Sequence, residues 1–187
     1  MGDRYEHIIE AAMRLFLRYG VKRTGMNDIA EEAEISRQTL YKAFANKDAV
    51  LQGAIRLLAD RVVADIEAGL KTADTLGAQL DVIFKHVVIE HYDVLQSSPN
   101  AEDIIAGVNA SSRKELEAGA RRNTEIIARV LEPYSDKIEE CGLSVVQYAD
   151  FIQSAASAAK HGARNRKHLL GLLAALRTAT LKVTGVA

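Results

Sequence analysis

The stretch TGMNDIAEEAEISRQTLYKAFANKDAVL, from Thr24 to Leu51, decides how this chain is read. Met26, Ile29, Ala30 and Ala33 line one face of a short helix, and Ile35, Leu40 and Phe44 anchor a second. Only the corner around Glu34 and Ile35 separates them. Ser36 then offers a hydroxyl N-cap to the second helix. Helix, tight turn and capped helix make a helix-turn-helix over about 25–44, the arrangement whose second helix enters the major groove of DNA.

The outward face of that second helix has a chemistry of its own. At about 100° per residue, Ser36, Leu40 and Phe44 share one face, which turns Gln38 and Lys42 to the other, flanked by Arg37, Thr39 and Tyr41. Gln pairs with adenine N6 and N7, Arg with guanine O6 and N7, and a Thr methyl meets a thymine methyl. A merely solvated helix more often carries Glu, Lys and Ala there. Asn46 reads as the N-cap of the next helix, so Lys47 falls in a first turn, where a cation opposes the helix dipole. A phosphate would resolve that conflict by taking the free N–H groups and pairing with the lysine. The plainer alternative is an exposed lysine partly offset by Asp48.

The run T-x-x-x-D-I-A from Thr24 to Ala30, followed by A-x-I-S-R-Q-T-L-Y-K-A-F and N-K-D-A-V-L, resembles the TetR family of bacterial transcriptional repressors. The specific match covers the first fifty residues or so. The resemblance implies a homodimer with N-terminal DNA-binding heads and a C-terminal effector-binding body, recognising a palindromic operator in double-stranded DNA. By position it makes Thr24, Ser36, Arg37, Gln38, Thr39, Tyr41, Lys42 and Lys47 the residues that face DNA. Two positions depart from the pattern. Gly25 stands where a Ser or Thr cap is usual, and Glu34 occupies a turn position usually held by glycine. A non-glycine residue at positive φ costs on the order of 1 kcal/mol.

Composition sets the surroundings of this motif. The chain has 187 residues, 48% hydrophobic and 26% charged, with two prolines, Pro99 and Pro133. That is the profile of an all-α globular chain and excludes a disordered one. The net charge of −1, and eight Lys/Arg against eight Asp/Glu in residues 1–51, leave a basic patch rather than a basic domain. The single Cys141 excludes an internal disulfide and, with no leader or membrane-spanning run in view, points to the cytoplasm.

In chain order, Ile8, Ala12, Leu15, Phe16 and Tyr19 form a first helix ending at Gly20, closing a three-helix head over residues 1–48. A helix over 46–71 joins it to the body, residues 49–187, and is a natural lever between the two. The body starts near Thr75 with a stripe of Leu76, Leu80, Phe84, Val87, His91 and Val94. Ser98–Pro99 opens a short helix closing at Gly107. Ser112 with Glu115 reads as a capping box starting a long helix to Pro133, and Ser144 with Gln147 as a second one, opening a helix to Gly162. Asn165 caps the last, leucine-rich helix. The fold class expected is therefore all-α, a helix-turn-helix head plus a helical bundle for ligand binding and dimerisation.

The last two helices suggest how two copies meet. One is lined by small residues, Ser154 to Ala159, and the other is leucine-rich over several faces, which calls for cover on several sides. A two-fold four-helix interface over about 144–183 meets both needs, against the alternative of a purely internal bundle. Three polar residues interrupt apolar stripes of the body, His91, Asn123 and Tyr148. They are candidates for an effector pocket, each set against the plainer reading of a core residue bonded to backbone or water. The effector itself is unidentified and no cofactor is implied. Histidines are too scattered for a metal site. No glycine-rich nucleotide loop, G-x-S-x-G or H-E-x-x-H proposes an enzyme. The competing function is a helical small-molecule-binding protein that keeps the head without using it on DNA.

Overall fold

The structure, a computed structural model, describes residues 2–98, 100, 103 and 110–186. All regular structure among them is helical: α1 (Gly2–Tyr19), α2 (Met26–Glu32), α3 (Arg37–Ala43), α4 (Lys47–Leu70), α5 (Leu76–Phe84), a π turn (Lys85–Ile89), α6 (Glu90–Ser97), α7 (Ala110–Leu131), a 3₁₀ turn (Glu132–Tyr134), α8 (Ser135–Glu140), α9 (Val145–Gly162) and α10 (Arg166–Val183). Packing divides the chain into two units, Met1–Arg61 with Leu95–Gly119, and Val62–Val94 with Ala120–Ala187. They are called the head and the body below.

The head closes on Ile8, Ile9, Ala12 and Phe16 of α1, Ile29 of α2, Leu40 of α3, Phe44, and Val50 and Ala54 of α4. Tyr5 lies against Phe44, ring centroids 4.5 Å apart. Tyr19, on the same expected stripe as Phe16, is 44% exposed and carries the Arg18 guanidinium 5.0 Å above its ring. A stripe read at fixed spacing does not register that the helix ends there and its last turn clears the core.

The corner between α2 and α3 is a Schellman turn. Ile35 N–H donates to Ala30 O at 2.9 Å and Glu34 N–H to Glu31 O at 3.0 Å. That geometry requires a left-handed residue after the helix, and Glu34 supplies it at φ 51°. The strain expected of a non-glycine there is present.

The body packs around Ile66, Leu80, Ile83, Phe84, Val88, Tyr92, Ile127, Leu131, Ile138, Ile152, Leu169 and Leu173. The stripe expected from Leu76 onward holds as far as Val87 and then fails. Val94 is 49% exposed, and Tyr92 is buried in its stead. The π turn is the cause: its i→i+5 bonding, with Glu90 N–H on Lys85 O, takes up an extra residue and rotates everything beyond it.

Helix starts follow their caps where the cap is local. Asn46 Oδ1 accepts from Ala49 N–H at 2.9 Å, Thr75 Oγ1 from Ala78 N–H at 3.2 Å, and Asn165 Oδ1 from His168 N–H at 2.9 Å. Ser144 and Gln147 form the expected reciprocal box, at 3.2 and 3.0 Å. The box expected at Ser112 and Glu115 does not form. Helix α7 is already under way at Ala110, Ser112 is fully buried, and Glu115 is bound by the Arg56 guanidinium at 2.7 Å. Of the short helix expected from Ser98 to Gly107, only Ser98, Asn100 and Asp103 are among the described residues.

Candidate nucleic-acid interface and effector groups

Helix α3 is short, and two fixings hold it. Leu40 is fully buried beneath it. Ser36 Oγ accepts Thr39 N–H at 3.1 Å at its start and shares a 2.8 Å hydrogen bond with Thr39 Oγ1. Those fixings turn Arg37, Gln38, Tyr41 and Lys42 into solvent, with Tyr41 48% exposed. None of the four has a hydrogen-bond or ion-pair partner among the described residues. A rigid helix thus presents a fork of guanidinium donors, an amide, a phenol and an ammonium, all unspent.

Thr24 and Lys47 lie elsewhere. Thr24 is 2% exposed and its hydroxyl donates to Gly20 O at 2.8 Å. Lys47 is half-buried, and its ammonium donates to Val21 O at 2.7 Å, Thr24 O at 2.9 Å and Lys22 O at 3.4 Å. The Thr24 hydroxyl and the Lys47 ammonium are thus both spent on carbonyls of the α1–α2 corner. The conflict between Lys47 and the α4 dipole is resolved by three carbonyls of the α1–α2 corner, which supply the negative end that a phosphate was expected to provide.

The same corner is held from a second direction. Ser98 Oγ donates to Leu17 O at 3.1 Å and Asn100 Nδ2 to Arg18 O at 2.7 Å, covering carbonyls that the end of α1 leaves open. Asp103 accepts Lys22 N–H at 3.0 Å. Gly20, at φ +86°, approaches Asp103 so closely that a Cβ there would stand 2.3 Å from its carboxylate. At Gly25 the missing side-chain cap is partly made good, since Asp28 accepts Gly25 N–H at 2.7 Å.

In the body the three polar candidates separate. Tyr148 is 4% exposed and its hydroxyl donates to Thr180 Oγ1 at 3.3 Å, which accounts for it as a core residue; burial first of all pushes its pKa up. Asn123 is half-buried on α7. His91 donates from Nδ1 to the His86 carbonyl at 3.0 Å, across the π turn, which leaves Nε2 as an acceptor in the neutral ring. Burial pulls its pKa below the usual value, and the charge of Lys160 adds to this.

Sequence reading missed Gln153 and Lys160. Gln153 is 8% exposed and its Oε1 has no hydrogen-bond partner. Lys160 is half-buried, its pKa lowered by burial. The spacing Ala149, Gln153, Ala156, Lys160 was the available signal. Steps of four, three and four keep these residues on one face, and the first three are buried. No group of three or more metal-binding side chains occurs among the described residues, and no helix there is long and apolar enough to cross a membrane.

Comparison with known proteins agrees with this geometry. Residues 8–54 match the family model described as bacterial regulatory proteins, tetR family. The HTH-type nicotine-responsive transcriptional repressor HdnoR of Paenarthrobacter nicotinovorans is 26% identical over 143 residues, 67% of this chain and 74% of that protein. The HTH-type regulator YuxN of Bacillus subtilis is 24% identical over 148 residues, and the match spans half its length. The crystal structure of a transcriptional regulator from Cytophaga hutchinsonii has the same fold, with a TM-score of 0.68 over 96% of this chain and 94% of that one, at 21% identity.

Proposed function

We propose, from the premise that this chain is a transcriptional regulator of the TetR family, that it acts as a homodimeric repressor which a small effector releases from a palindromic operator. The observation that carries this reading is the unspent face of α3. A protein that used its head only as scaffold would have no need to hold an arginine, a glutamine, a tyrosine and a lysine outward on a capped, core-anchored helix. Gln38 and Arg37 read base edges, with Thr39 beside them, while Tyr41, Lys42 and the Ser36 end of the helix meet phosphates. Thr24 and Lys47 serve from inside, holding the corner that carries α2.

Two copies are needed to present two such helices about 34–36 Å apart, one turn of DNA. The expected contact through α9 and α10 is supported by the apolar side chains left in solvent there. Val146 is 68% and Phe151 57% exposed, and Leu170 and Leu172 also face water. The effector works by population shift, binding better to a form of the dimer whose heads are wrongly spaced for the operator.

Selection from a random duplex library with the purified chain tests the reading. Enrichment of an inverted repeat, lost in a Gln38→Ala/Lys42→Ala variant, is the expected result. No enrichment even at low salt would leave the helical ligand-binding protein as the better account.

A further inference from the structure

Among the described residues of the body, the unpaired cations are exposed ones such as Lys71, Arg121, Arg164, Lys167 and Lys182, with one half-buried exception. Near the π turn, Glu90 is held by His86 Nδ1 at 2.9 Å and by Lys85, and Asp93 is held by Arg166 at 2.9 Å. On the opposite flank Arg177 binds Asp81 at 3.0 Å. Lys160 has no carboxylate and no hydrogen bond among the described residues, although it sits on the buried face of α9, the helix that packs on the π turn. A desolvated ammonium without a counter-ion is costly, and a protein normally pairs it or exposes it. Glu90 and Asp93, the carboxylates that flank His91 in the chain, are already committed, which leaves room for an anion from outside.

Two acceptors accompany this cation. Gln153 Oε1 is buried and unpartnered two turns away on the same face, about 10 Å along the axis. His91 Nε2 is the free edge of a ring locked by the His86 carbonyl, close enough to Lys160 to feel its charge. Between Gln153 and Lys160 the face carries Ala156, within the apolar cluster of the body, and beside it the small, half-buried Ser157. Cation at one end, acceptor at the other and apolar surface between describe a ligand of matching order.

We propose that the α9 face of Gln153, Ala156 and Lys160, with His91 beside it, binds a small carboxylate whose far end bears a hydroxyl or N–H donor. Lys160 takes the carboxylate, Gln153 and His91 accept from the donors, and the middle of the ligand is apolar. The assignment rests on the effector reading above and gives that effector its chemical class.

The test uses the purified full chain and a set of aromatic and aliphatic hydroxycarboxylates, each beside its primary amide and its hydroxyl-free parent acid. Thermal melting at millimolar compound is the first readout. The acids raise the melting temperature and the amides do not; the hydroxyl adds to the rise, and Gln153→Leu removes that addition. Lys160→Met weakens acid binding about tenfold or more, whereas Lys167→Met, at an exposed lysine of α10, keeps it. The assignment is overturned if amides act as well as acids, if the rise survives Lys160→Met, or if no acid in the set produces one. Operator release, read by fluorescence anisotropy, separates the two claims. An acid bound through Lys160 that leaves the operator complex intact sinks the effector reading and keeps the site. A neutral compound that releases the operator equally from the Lys160→Met variant does the reverse.

Discussion

In the head, Arg37, Gln38, Tyr41 and Lys42 stand in solvent on a helix that spends none of them, while in the body Gln153 Oε1 and Lys160 are withdrawn from solvent without a partner, beside a His91 bonded through one ring nitrogen alone. Unpartnered polar groups in water cost nothing, so a surface can display them permanently and wait for something large. Unpartnered polar groups in a core carry a standing penalty, so they mark a place where something small completes the structure. The first kind of site is rigid before its ligand arrives. The second is strained until it does.

Leu40→Ala, beneath the recognition helix, should destabilise the head by about 2–5 kcal/mol and abolish sequence-selective binding, seen as an early loss of helicity on heating. An intact operator complex in that variant would mean that the outward face does not depend on its anchor. Lys47→Met should cost about 2 kcal/mol of stability through its carbonyl contacts. Operator affinity falls with it, yet the dependence of log K on log salt stays as in the parent chain. Lys42→Ala instead lowers that slope by about 1. If Lys47→Met lowered the slope as well, its ammonium would be leaving the carbonyls for a phosphate in the complex.

Smaller effects sharpen the comparison. Gln38→Ala should lose about 1–3 kcal/mol of preference at one base pair of each half-site and little non-specific affinity, as competition with scrambled duplexes would reveal. Glu34→Gly should stabilise the head by about 1 kcal/mol by relieving its left-handed strain; an unchanged or lower unfolding midpoint in urea would show that the glutamate earns its place. The last test belongs to the body. Burial and then the charge of Lys160 hold His91 below its ordinary pKa, against an opposing pull from Glu90 and the His86 carbonyl. The unfolded chain therefore binds the proton first, and stability falls as pH drops below about 6.5. His161, lowered in the same direction, contributes to the same fall. His91→Gln should flatten the pH dependence in part, and an unaltered curve would remove His91 from the buried site.

What could be read from the sequence follows the range of the forces concerned. Ser36, Asn46, Ser144 and Asn165 were legible because a cap is a contract between residues three apart. The outward face of α3 was legible because a short helix with one buried leucine has only one way to turn. Ser112 misled for the same reason that the others succeeded: the spacing is local, but whether a helix has already begun is not. Lys47 and Asp103 gained their roles from carbonyls and amides more than twenty residues away, beyond any local pattern. Tyr148 reads as a buried polar group in need of a partner, and that partner, Thr180, stands thirty-two residues on. Gln153 and Lys160 were passed over because a glutamine and a lysine in an alanine-rich helix resemble solvated positions until the buried face is known.

The π turn at Lys85–Ile89 has one further consequence. Its i→i+5 bonding holds one residue more than the same length of continuous α-helix would. Any chain built on the same plan but lacking that residue would keep step with this one as far as Phe84. Beyond it, every position would be out of register by one, and a full rotation of roles would follow: the tyrosine now at the core would be matched to a neighbour that faces water. Relatives of this protein should therefore be compared in two frames, changed over within those five residues. In a single frame, the histidine that spans the turn would be assigned to the wrong side of the helix.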